Sequence, residues 1–195
     1  MKNLWLASSL TALFASAALA PTPVQSADYV IDTKGAHAFI QFRVNHLGFS
    51  WLYGRFNNFE GTFSYDADDL AASSIQLTID TRSVDSNHAE RDLHLRDEDF
   101  LNTSRYPEAT FKSTRVEATD DGRIALHGEL TLNGVTKALV IDAEKMGEGK
   151  DPWGGYRAGF SGTTKFALKD FNINYDLGPA ATHVYLDLTV EGIRQ

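Results

Sequence analysis

From residue 38 onward, apolar and polar positions alternate with a period of two, the mark of strands with one buried face. Ala38, Ile40, Phe42 and Val44 fall on one side, with Gln41 and Arg43 on the other. The same rhythm runs through Phe59–Tyr65, Ile75–Ile79, Ala109–Val116 and Ile124–Leu132. Asn133-Gly134 then gives a strong two-residue hairpin signal before a return strand over Val135–Ala143. Later strands cover Ala158–Leu168 and Val184–Val190, and an early one covers Tyr29–Asp32. Phe56 is out of phase with Phe59, which predicts a turn or bulge at Asn57-Asn58. The count is about eight or nine strands with no βαβ rhythm, so the sheet is expected to be antiparallel. Gly61, Gly128 and Gly162 interrupt the apolar faces, as they do where coiled strands bend. A sheet this long with one greasy face closes into a barrel or folds into a sandwich.

Three segments break the alternation. Asn45–Tyr53 (NHLGFSWLY) is too aromatic for an exposed loop and reads as a short helix. Ser86–Leu101 is the clearest helix: Asn87 can cap it, Glu90 follows three residues later, and Ala89, Leu93 and Phe100 share a face. A short turn is expected at Lys169–Tyr175. Trp153, in the run Asp151-Pro-Trp-Gly-Gly155, reads first as a turn anchor and second as a ligand contact.

The amino terminus has the layout of a bacterial secretory leader. Lys2 precedes an uncharged Leu- and Ala-rich run from Leu4 to Ala20. Ala18-Leu19-Ala20 fits a cleavage site but is followed by Pro21, so Val24-Gln25-Ser26 is the better one. This assigns residues 1–26 to a signal peptide and 27–195 to a single domain, exported to the periplasm. The competing reading is an uncleaved anchor, for which the run is short and ends in prolines.

Composition removes several function classes. With 18 Lys+Arg against 26 Asp+Glu, the net charge of -8 argues against nucleic acid as a partner. Cysteine is absent, which excludes disulfides, thiolate metal sites and thiol nucleophiles. There is no nucleophile elbow, phosphate loop, dinucleotide fingerprint or zinc-protease motif. The richest polar cluster is His88–Asp99. His88, Asp92 and Asp99 on one helical face could hold a divalent ion for a metal-dependent enzyme. His88 and His94 are ~120° apart around a helix and cannot chelate together, and ion pairs such as Asp92–Arg96 explain the cluster more simply. His46, at the mouth of the aromatic segment, either meets a ligand head group or is a buried histidine bonded to backbone. Arg43 and Arg55 pair with a head group or with surface carboxylates.

The twelve phenylalanines pose the central choice. They either fill the core or line a barrel whose lumen is only partly filled, and alternation alone does not separate the two. On the second reading the candidate ligand contacts are Phe42, His46, Phe49, Trp51, Phe56, Phe63, Phe111, Phe160, Phe166 and Leu186.

Five segments carry a family resemblance: HLGFSWLYGRF (His46–Phe56), the long run Ser83–Phe111, LTLNGVTK (Leu130–Lys137), DPWGGYRAGF (Asp151–Phe160) and DFNINYDLGPA (Asp170–Ala180). In these the sequence resembles the periplasmic YceI family, polyisoprenoid-binding proteins with a lipocalin-like barrel. The resemblance spans nearly the whole chain after residue 26. It implies an all-β, antiparallel, eight-stranded barrel with an inserted short helix. It also implies binding, sequestration or transport of an isoprenoid lipid of polyprenyl or ubiquinone type in the lumen, without catalysis or a cofactor. It supplies no head-group residues. The G-x-W signature of true lipocalins is absent. An outer-membrane barrel is the third reading, opposed by the charged insert Ser86–Leu101, so no stable membrane insertion is expected. Edge pairing could give a homodimer, though nothing in the sequence demands one.

Overall fold

In the computed structural model, which describes residues 26–195, the alternating segments form one antiparallel sheet of eleven strands. All but the last residue of the expected leader lies outside the described residues. β1 (Ala27–Ile31) and β2 (Phe39–His46) both pair with β11 (His183–Arg194), as two halves of one interrupted strand. β3 (Ser50–Phe56) pairs with β2, and β4 (Phe59–Tyr65) pairs with β1. β5 (Ser74–Asp80) pairs with β4, and the two-residue β6 (Val84–Asp85) pairs with β3. β7 (Glu108–Ala118), β8 (Ile124–Leu132), β9 (Val135–Lys150) and β10 (Tyr156–Ala167) follow in order and lead back to β11. The eleven segments thus occupy eight positions around a closed barrel, with β1–β11 as the seam. Closure leaves no long free edge, which removes the main aggregation liability of a sheet this size.

The expected turn at Asn133-Gly134 is present. Both residues have positive φ, 48° and 74°, and Leu132 pairs directly with Val135. Asn57-Asn58 is the kink between β3 and β4, tied down by Asn57 N–H donating to the Ser83 carbonyl at 3.1 Å. β9 runs past the predicted Ala143 to Lys150.

Two local readings change. Asn45–Tyr53 is a β-hairpin, not a helix. Leu47 and Gly48 have φ of 55° and 84°, and Phe49 N–H donates to the His46 carbonyl at 2.9 Å. Leucine in the left-handed region hides this turn from a search for Asn-Gly.

The helix, α1, covers only Ala89–Arg96. Its cap is His88, whose Nδ1 accepts from Arg91 N–H at 3.2 Å, while Asn87 lies outside with φ 61°. Leu93 faces solvent, and the inward side is Asp92 and Leu95, followed by buried Phe100 and Leu101. The helix is latched to the preceding strand. Arg96 donates to the carbonyls of Arg82 and Val84, both at 2.8 Å, and Arg91 Nη2 donates to the Ser86 carbonyl at 2.6 Å.

The expected turn near Lys169 is a 3₁₀ turn at Leu168–Phe171. Buried Asn133 donates to the Phe171 carbonyl at 3.1 Å, so the β8–β9 turn also positions this segment.

Candidate functional site

The apolar faces of all the strands turn inward, and the space they enclose is not filled. A cavity of about 370 Å³ occupies the end of the barrel under α1, lined by Ile40, Phe42, Val44, Ala109, Leu132 and Phe166 among others. A second of about 150 Å³ lies toward the other end, lined by Phe63, Ile75, Phe111, Leu126, Ile141 and Phe160 among others. Ile40, Ile79, Leu130 and Leu186 line both, so these four side chains stand between the two compartments.

Aromatic rings leave room because they lie against the wall. Phe42 is registered opposite Gly54, and its ring occupies the place where a Cβ on Gly54 would project. The Phe111 ring covers Gly128 in the same way, beside a bulge between β7 and β8. Glycine here buys flatness for a neighbouring ring, and so keeps the lumen open.

The two ends differ. Over the larger compartment the mouth is framed by α1, the extended run after Phe171 and the edge of β3. Ser86, Arg91, His94, Tyr53 and Tyr175 contribute its polar atoms. The rings of His94, Phe100 and Tyr175 pack edge-on or tilted with centroids 4.8–5.1 Å apart. At the other end, inward-phased Lys145 donates to Glu148 at 2.6 Å, and the Tyr29 hydroxyl donates to Glu148 at 3.2 Å. Burial, aided by the Glu148 charge, pushes Tyr29 up to about 12. Tyr29 also stacks on Phe63 at 4.7 Å, and Phe63 meets Phe160 edge-on at 5.6 Å. Tyr29 and Phe63 pack there in a second buried cluster with Ile31, Ala38 and Ala158.

The structure gathers seven of the ten candidate contacts on the lumen. Phe42, Phe56 and Phe166 line the larger compartment, Phe63, Phe111 and Phe160 the smaller, and Leu186 both. The other three lie outside it. His46 keeps the inward phase of Val44 but stands past the rim, exposed rather than buried. Phe49 is 86% exposed at the hairpin tip. Trp51 is on the outer wall, edge-on to Tyr185 at 5.2 Å with the Arg43 guanidinium over it at 4.8 Å. Arg43 and Arg55 face Asp187 and Asp85 at 3.5 and 3.6 Å, the surface pairing expected of isolated arginines.

Sequence reasoning missed the cap of the larger compartment: Leu95, Phe100, Leu101, Ile173 and Leu177. The alternation Phe171, Ile173, Tyr175, Leu177 was a usable signal, obscured by the Asn and Asp residues between them.

His88, Asp92 and Asp99 do not converge on a metal. His88 caps α1, Asp92 accepts from the Ser86 N–H at 2.8 Å and from its hydroxyl, and Asp99 faces His94 at 3.5 Å. The proposed Asp92–Arg96 pair is absent as well, because Arg96 is spent on backbone carbonyls. Trp153 is 77% exposed; the anchor of its turn is Asp151, which accepts from Trp153 and Gly155 N–H at 3.0 and 2.7 Å. On the barrel wall, Arg157 binds Asp32, Glu191 and Asp151 at 2.7, 2.6 and 2.8 Å. Asp32, His37 and Glu191 have the make-up of a cation site, but the guanidinium already occupies it.

Chemically, the lumen offers hydrocarbon solvation. The titratable side chains among its described lining residues are Arg91, His94 and three tyrosines, all near the two ends. None is paired as nucleophile and base.

A family model for the YceI-like domain matches residues 29–192. The chain belongs to the YceI family. A UPF0312 protein of Shewanella putrefaciens is 61% identical over 186 residues, covering 95% of this chain and 97% of that one. The crystal structure of a Campylobacter jejuni YceI protein is similar at 28% identity and TM-score 0.70, covering 78% of this chain and 90% of that one. A domain from Saccharophagus degradans, described as polyisoprenoid-binding and implicated in plant cell wall breakdown, shares the fold at TM-score 0.63 and 16% identity. It covers 86% of this chain and 98% of the neighbour. The closed barrel of this YceI-family chain, with its short helical insert, is therefore the family architecture.

Proposed function

We infer that this YceI-family protein binds a single isoprenoid chain, of polyprenyl or quinone type, in its lumen and shields it from water. Its role is then sequestration or transport across the periplasm, with no catalytic step. The observation that carries the reading is the pair of apolar compartments that fill the barrel and share Ile40, Ile79, Leu130 and Leu186. The leader-like first 26 residues support export, and the description of the Saccharophagus degradans domain supports the ligand class.

Cavity size sets the scale. A 150 Å³ apolar cavity accommodates benzene, or roughly 25 Å³ per carbon. On that scale the larger compartment takes about fifteen carbons, three isoprene units, and the smaller about one unit more. Burial of one five-carbon unit contributes ~3–4 kcal/mol. Micromolar affinity requires about -8 kcal/mol after immobilisation costs, so three or four enclosed units suffice without a strong polar contact. The polar head stays at the α1 mouth, where Ser86, Arg91 and His94 are.

Titration of delipidated protein with farnesol and geranylgeraniol, read by native mass spectrometry, tests this. One bound molecule per chain is expected, tighter for the longer alcohol. No binding of either would overturn the reading.

A further inference from the structure

The α1 end of the barrel, over the larger compartment, carries a group of exposed apolar side chains. Phe49 and Leu47 cap the β2–β3 hairpin and are 86% and 57% exposed. Tyr53, Tyr175 and Leu93 border the mouth from β3, the 172–178 run and α1, with exposures of 58%, 45% and 66%. Leu47 approaches Gly178, so hairpin and run form one continuous rim. The hairpin turns through its two positive-φ residues, Leu47 and Gly48, with Asn45 Oδ1 accepting from Gly48 N–H at 2.6 Å. Water-facing Phe and Leu together at a hairpin tip mark a surface that something apolar covers.

We propose that this rim docks reversibly on the surface of a lipid bilayer, placing the mouth against the acyl region so that the lumen's ligand enters without crossing water. The choice of occupant rests on the lipid-binding reading above and on two further features. The rim and the cavity are continuous through Tyr53 and Tyr175, which belong to both. Tyrosine at the margin with Phe and Leu at the tip matches the layering of a membrane interface, amphipathic rings at head-group depth and apolar side chains below. Electrostatics selects the kind of surface. The chain carries a net charge of -8, and Asp97, Glu98 and Asp99 follow α1 beside the mouth. Docking is therefore driven by apolar burial on a zwitterionic surface, and anionic lipid does not strengthen it.

The test is co-sedimentation of purified protein with phosphatidylcholine vesicles, with and without phosphatidylglycerol, and with raised salt. The wild type is expected to pellet with phosphatidylcholine, no better with phosphatidylglycerol, and with little salt dependence. Phe49→Ser and Leu47→Ser are each expected to weaken partitioning about tenfold or more. Both lie outside the lumen, so farnesol binding in solution stays at the wild-type level. Wild-type protein remaining in the supernatant, or variants that pellet equally well, would overturn the proposal. So would a wild-type dimer that the variants lose, since the rim would then belong to a second copy. Failure of farnesol binding with vesicle docking intact would instead strike the lumen reading alone.

Discussion

Substitution of Ala109 by Phe separates an open lumen from a packed core. Ala109 is 2% exposed and lines the larger compartment, directly across from Ile79 on β5. The added phenyl ring is the size of benzene and claims ~150 Å³, roughly two fifths of the larger compartment. About one isoprene unit loses its place, a loss of ~3–4 kcal/mol, or roughly two to three orders of magnitude in affinity. Because the ring enters empty space, stability to urea is expected to stay level or rise. In a filled interior the same ring forces neighbours off their rotamers and costs about 1–3 kcal/mol. The assay is a farnesol titration by intrinsic fluorescence, paired with urea denaturation of the ligand-free variant. Weakened binding with preserved stability is the expected pair. Unchanged binding with a lowered urea midpoint would refute the reasoning, since it is the response of a solid core.

Other outcomes follow from particular contacts. Gly54→Ala places a Cβ 2.7–2.8 Å from ring carbons of Phe42 and drives that ring into the lumen; farnesol affinity should fall about tenfold, roughly two methylenes' worth, and Phe42→Leu in the same chain should restore much of it. Gly134→Ala must hold a φ of +74° and meets the Tyr106 ring at 2.5–2.8 Å, so urea denaturation should show a loss of about 1–2 kcal/mol with ligand affinity unchanged. Asp32 is held down at about 2, below its ordinary 3.8, first by the Arg157 hydrogen bond and then by His37. A depressed carboxylate stabilises the fold fully above pH ~4 and loses that contribution as pH falls toward ~2, about 1–2 kcal/mol after screening. Acid titration of urea midpoints should show that step in the wild type, and Asp32→Asn should remove it.

Strand alternation made most of this molecule legible in advance, because a barrel wall has one dry face and the phase of Phe42, Phe111 or Phe166 names that face directly. The family resemblance chose the closed barrel over the sandwich. What alternation could not supply was length along the axis. Val44 and His46 share a phase, yet one is in the lumen and the other beyond the rim. Nor could it show that Leu47 would take a left-handed backbone and turn Asn45–Tyr53 into a hairpin. The helix was misjudged in its facing because Asp92 is buried by satisfying Ser86, whereas Leu93 is exposed. Above all, an apolar face says nothing of whether the space behind it is full. That depended on Gly54, which the alternation did not single out, and on Gly128, read from the chain as a bend; both are seats for rings in the structure.

Native mass spectrometry of the protein isolated from its own cells, followed by organic extraction of the released species, tests the central claim most directly. The account predicts one hydrocarbon-rich molecule per chain, exchangeable for added geranylgeraniol and lost in Ala109→Phe. A bare polypeptide mass that takes up no geranylgeraniol would contradict it.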